Sequence, residues 1–150
     1  MGIFERRRWL TAYAPLLLWT VVILGLGGGS ASMSETSRFI GPLLELLFPS
    51  AGSDTLYIYH AIIRKLAHVF EYGVLGLLAA RVFNFARYRF VLSIVFVALV
   101  AGVDEWNQSF NPTRTSTIWD VVIDIAAGAL GISVVIFFAR RTSQTEQSTD

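Results

Sequence analysis

The 150-residue sequence contains no cysteine, which excludes disulfides, thiol catalysis and thiolate-bound metals whatever the redox state of its surroundings. Charge is scarce too. Asp, Glu, Lys and Arg make up 15% of the chain against 54% hydrophobic residues, and a mean hydropathy of +0.57 is the balance of a chain whose solvent is lipid. There are only two histidines and neither a His-x-x-x-His nor a Glu-x-x-His pattern, so zinc chemistry has little support and no metal or other cofactor is expected. The apolar runs also lack the alternation of period two that barrel strands need, which leaves helices as the way to span a bilayer. A net charge of +1 offers no nucleic-acid footprint.

What is present is a set of four apolar runs, at about 9–29, 62–83, 90–110 and 118–139, each close to the ~20 residues that cross a bilayer. They predict an all-α integral membrane bundle of four transmembrane helices. The membrane domain covers 1–141, and the polar, aperiodic stretch 142–150 reads as a disordered cytoplasmic tail. Between the first two runs, Arg38 to Phe48 places Phe39, Leu43, Leu44, Leu46 and Leu47 around Glu45, the pattern of a short interfacial or re-entrant helix. Pro15 falls in the first turns of the first run, where it predicts a mild kink. Gly73, Gly76, Gly128 and Gly131 supply small surfaces for close helix approach. Trp9, Trp19, Trp106 and Trp119 lie at or near run ends, where indole rings anchor at headgroups, and His60 reads as a solvated residue at the outer water interface.

Basic residues set the orientation. Arg6, Arg7 and Arg8 precede the first run, Arg81, Arg87 and Arg89 join the second to the third, and Arg140 and Arg141 follow the fourth. The positive-inside rule then puts both termini in the cytoplasm of a multi-pass protein of the cell membrane, with loops 30–61 and 111–117 outside. A competing reading takes the three arginines, the first run and the small residues near Ser30 and Ala31 as a signal peptide; its removal would leave the other three helices oriented as before.

The later runs cannot reach spanning length without taking in charge: the charge-free part of the third is only 90–103 and of the fourth 125–139. Counting from the cytoplasmic arginines at 1.5 Å per residue, His68 lies about 20 Å up, Asp104 about 22 Å and Asp124 about 24 Å, all in the outer third of the hydrocarbon. Lys65 and Glu105 come out at about 24 Å, Asp120 at about 30 Å and Glu71 at about 15 Å. Lys65, His68 and Tyr72 share one helical stripe at i, i+3 and i+7, with Glu71 beside His68; Asp104 and Gln108, and likewise Asp120 and Asp124, are i and i+4 pairs. Each charge facing lipid would cost at least ~2.5 kcal/mol, so the three polar faces are expected to converge.

Glu71, Asp104, Glu105, Asp120 and Asp124 are five potential anions, against Lys65, Arg114 and a protonated His68 as nearby cations. Some carboxyls must then be protonated, metal-bound or matched by a ligand's positive charge, which points to a proton-handling site with His68, Asp104 and Glu105 as the exchanging groups. Lys65, Glu71, Tyr72, Gln108, Asp120 and Asp124 would bind around it, and Arg114 is placed to meet the acidic cluster or an incoming phosphate. The same residues also allow a proton-coupled small transporter, or an ionic core that only holds helices in register.

The blocks Lys65-Leu-Ala-His68-Val-Phe-Glu71-Tyr72, Asp104-Glu105-Trp-Asn-Gln108-Ser-Phe110, Pro112-Thr-Arg114 and Asp120-Val-Val-Ile-Asp124-Ile-Ala-Ala-Gly128 resemble, in this order, the VanZ-like family. The family usually has Asn where Asp124 stands. The resemblance implies a membrane protein associated with low-level resistance to teicoplanin-type glycopeptides. Its expected partners are the lipid bilayer and a lipid-linked envelope precursor or lipoglycopeptide met at the outer leaflet.

Overall fold

A computed structural model describes residues 3–26, 33–110 and 117–147. Five helices follow one another: α1 (Ile3–Gly25), α2 (Met33–Leu47), α3 (Ser53–Val82), α4 (Arg89–Ser109) and α5 (Ile118–Gln147), with a short 3-10 turn, Phe83–Phe85, between α3 and α4. Among the described residues there is no strand. Three stretches, Ser53–Phe85, Arg89–Ser109 and Ile118–Ala139, are long and apolar enough to cross a membrane, and Leu10–Gly25 in α1 is a shorter apolar helix. The chain is therefore an all-α membrane bundle.

Local chemistry explains where the long helices begin and end. Asp54 in the first turn of α3 and Arg81 in its last complement the helix dipole. The Arg89 guanidinium donates to Asn84 Oδ1 at 2.9 Å across the tight α3–α4 connection, and Ser93 donates back to the Arg89 carbonyl at 2.7 Å. At the start of α5 the Thr117 hydroxyl donates to Asp120 Oδ2 at 2.9 Å.

The α3–α5 pair is the centre of the bundle. Their contacts advance together, Lys65 with Asp120, His68 with Asp124, then Gly73 beside Ala127, so the two helices run in the same direction. Below the charged residues they touch through backbone: a Cβ added at Gly76 would collide with the Gly128 carbonyl, and one at Gly131 with the Gly73 carbonyl. The small surfaces expected from the sequence are this contact. Helix α4 runs antiparallel to α3, with Tyr72 meeting Asp104 at one level and Phe83 meeting Phe96 at another. Val97 of α4 fills the notch at Gly128, where an added Cβ would lie 2.5 Å from its Cγ1. The fully buried side chains Ile23, Tyr72, Leu75, Val97 and Ile132 come from all four long helices.

Several sequence expectations change. Helix α3 starts at Ser53, well before the apolar run at Ile62, and α5 continues to Gln147 through a segment expected to be disordered. Pro42 lies inside α2, which also extends further back than Arg38. Trp19 is not a headgroup anchor: its Nε1 donates to the Glu71 carbonyl at 2.9 Å and its ring meets Phe70 edge-on, so it docks α1 on α3. His60 is not solvated either, being only 5% exposed.

Candidate functional site

Three rungs descend the polar stripe of α3, one for each residue that the i, i+3, i+7 spacing put on that face. At the outermost, Lys65 Nζ pairs with Asp120 Oδ1 at 3.0 Å, and the lysine side chain is 63% exposed. One turn deeper His68 Nδ1 lies 3.7 Å from Asp124 Oδ1. That is within ion-pair reach and too long for a hydrogen bond. The Asp124 side chain is only 4% exposed, and buried Nδ1 of His68 has no hydrogen-bond partner among the described residues. At the third rung the Tyr72 hydroxyl donates to Asp104 Oδ2 at 3.2 Å, and Gln108 Nε2 donates to the same oxygen at 2.8 Å. Asp104 is 2% exposed and its Oδ1 has no partner among the described residues. The His68 and Tyr72 rings lie nearly parallel, with centroids 6.3 Å apart and 10° between planes, so the second and third rungs are mechanically joined.

A pocket of about 120 Å³ opens beside these rungs, lined by Tyr57, Ala61, Arg64, Lys65, His68, Gln108, Asp120, Ile123 and Asp124. That is room for about four water molecules' share of liquid volume, enough for a small polar headgroup. Burial sets its polarity: Tyr57 and Lys65 at the mouth are exposed, while Gln108 and Asp124 at the floor are buried.

The structure thus brings Lys65, His68, Tyr72, Asp104, Gln108, Asp120 and Asp124 together on three facing helices. His68 pairs with Asp124, where the sequence suggested exchange with Asp104 or Glu105, because α3 turns His68 toward α5 and leaves Asp104 to Tyr72 and Gln108. Glu105 is half-buried beside the start of α5, where it accepts from the Thr117 backbone N–H while its Oε1 is buried without a partner among the described residues. Glu71 flanks the stripe but does not line the pocket. Arg114 lies outside the described residues. Among the described residues, no three His, Asp or Glu side chains are grouped as a metal site.

Sequence reasoning missed Arg64, Tyr57 and Ala61. With His68 they form a stripe at i, i+4, i+7 and i+11; Arg64 and His68 are already an i, i+4 pair inside the apolar run, and Tyr57 and Ala61 join them only if the helix is begun at Ser53. Arg64 also changes the charge balance: around the pocket Arg64 and Lys65 stand against Asp120 and Asp124, so with a neutral His68 the lining carries no net formal charge.

A bundle of apolar helices with carboxyls and an imidazole enclosed between three of them defines an integral membrane protein whose polar site is built into its spans. Within that class the sequence profile of the VanZ/LLP1 family matches residues 10–139, and the chain belongs to this family. No curated protein and no solved structure matches it.

Proposed function

We propose that the protein spans the cell membrane four times with both termini cytoplasmic. Its pocket then opens at the outer leaflet to bind or modify an amphiphilic cell-envelope molecule, contributing to resistance to teicoplanin-type glycopeptides. The observation that carries this reading is the second rung. His68 and Asp124 line a headgroup-sized pocket, and their facing atoms stand 3.7 Å apart with no hydrogen bond between them. The neighbouring pairs Lys65–Asp120 and Gln108–Asp104 do close to bonding distance, at 3.0 Å and 2.8 Å. An imidazole and a carboxylate that both line a cavity and do not close on each other suit a ligand or a proton in transit.

The test is glycopeptide susceptibility of a host expressing the wild type, His68→Ala, Asp124→Asn or Arg114→Gln, each normalised to its abundance in membranes, beside a mass-spectrometric profile of envelope lipids. A change in susceptibility or in one lipid species at constant abundance supports the reading. A structural ionic core, favoured locally by the buried Tyr72–Asp104–Gln108 trio, would instead lower abundance without altering either readout.

A further inference from the structure

We propose that the pocket receives a zwitterionic headgroup joining a primary ammonium to a phosphate, as in an aminoethyl phospholipid, with the ammonium at the floor and the phosphate at Arg64. The inference rests on the pocket being the outward-facing ligand site put forward above, and it names the chemistry of the ligand.

The floor is a set of acceptors. Asp124 Oδ1 and His68 Nδ1 are 3.7 Å apart, and a donor nitrogen at the usual ~2.9 Å from each closes a triangle over that gap once a small turn of the imidazole uncovers Nδ1, which is otherwise buried without a partner among the described residues. Gln108 spends its amide N–H on Asp104, which leaves its carbonyl oxygen as a third acceptor on the pocket wall. Three acceptors match the three N–H donors of a primary ammonium, provided the imidazole is neutral. The buried Asp124 carboxylate supplies the compensating charge. Its oxygens accept no hydrogen bond from any described residue, and the side chain is 4% exposed. A quaternary ammonium has no N–H to satisfy these atoms.

The mouth is cationic in a directed way. Lys65 is engaged by Asp120 at 3.0 Å, whereas Arg64 has no ion pair among the described residues. Its guanidinium, one helical turn (about 6 Å of rise) above His68, is the group left to hold a phosphate in bidentate fashion. Because the lining is formally neutral, a zwitterion enters without leaving an uncompensated buried charge, which a purely anionic headgroup would leave at Asp124.

The experiment is native mass spectrometry of the full chain in detergent, titrated with phosphatidylethanolamine, phosphatidylcholine or phosphatidylglycerol of identical acyl chains. The wild type is expected to retain phosphatidylethanolamine about tenfold better than either of the others, close to the lower end of what one charge-assisted hydrogen bond contributes. Asp124→Asn should abolish the preference over phosphatidylglycerol, and Arg64→Gln should weaken phosphatidylethanolamine retention. Ala61→Leu, which fills the pocket without touching a charge, should remove lipid selectivity while the protein stays folded. Competition by soluble phosphoethanolamine would identify the free headgroup as sufficient; its failure would make the acyl chains part of recognition, and both keep the proposal. Equal retention of all three lipids, or a preference that survives Asp124→Asn, overturns it. If selectivity for a different headgroup is lost in Ala61→Leu, the ligand chemistry falls and the pocket reading stands; if Ala61→Leu changes nothing for any lipid, both fall.

Discussion

Tyr72 is fully buried, and its hydroxyl is one of two donors on the same oxygen of a buried aspartate. Among the described residues, removing it in Tyr72→Phe leaves Asp104 Oδ2 with Gln108 alone, while Oδ1 has no partner already. We expect a loss of about 1 kcal/mol, since hydrogen bonds between membrane helices contribute less than burial alone suggests. Unfolding of the purified protein in detergent as denaturant is added reads this directly. Tyr72→Phe combined with Gln108→Leu should cost more than the sum of the single changes, because together they strip both donors that the described residues give to one buried oxygen. An additive pair would mean that Asp104 finds another partner. The stripe of Lys65, His68 and Tyr72 was legible from spacing and depth, as were the facing pairs on α4 and α5. Which carboxylate each residue takes was not. That choice depends on the rotation of α3 relative to its two neighbours, and spacing within a helix carries no information about it.

That rotation is fixed by the glycine contact of α3 with α5. Gly76 and Gly131 each face a carbonyl of the other helix so closely that a methyl group has no room, whereas Gly102 on α4 has nothing within 4 Å. Gly76→Ala and Gly131→Ala should therefore push the helices apart, at about 1–3 kcal/mol each, the usual range for overpacking. They should also loosen the Lys65–Asp120 and His68–Asp124 rungs above. Gly102→Ala should leave stability unchanged or raise it by up to about 1 kcal/mol, as the better helix former. Denaturant midpoints of the three variants decide the matter, and a Gly76→Ala protein as stable as wild type would show that the backbone contact is not needed. The small residues announced this contact in the sequence. Helix limits were harder to read, because hydropathy falls off around Ser53, Asp54 and His60 although α3 is already formed there. The same shortfall assigned His60 to water; Arg64 lay inside the apolar run, and its place on the pocket face shows only once Tyr57 and Ala61 join it on the longer helix.

At the scale of the molecule, the site's meaning depends on which way the bundle faces. Helices α3 and α5 run in parallel with α4 between them in sequence and antiparallel, so the pocket end of all three lies on the side of Ser53 and Ser109, opposite the Arg81, Arg87 and Arg89 cluster. The basic residues argue that the cluster is cytoplasmic. A chain without cysteine allows this to be tested with single introduced thiols and no background. Ser53→Cys and Ser109→Cys sit at exposed positions near the pocket end, and Asn84→Cys at an exposed position in the opposite turn. In intact cells a membrane-impermeant maleimide should label the first two, and Asn84→Cys should react only after permeabilisation. Labelling of Asn84→Cys alone in intact cells would invert the bundle and open the pocket to the cytoplasm. An envelope molecule on the outer leaflet could then not be its ligand, although headgroup selectivity measured in detergent would be unaffected. Orientation and ligand chemistry are thus separable.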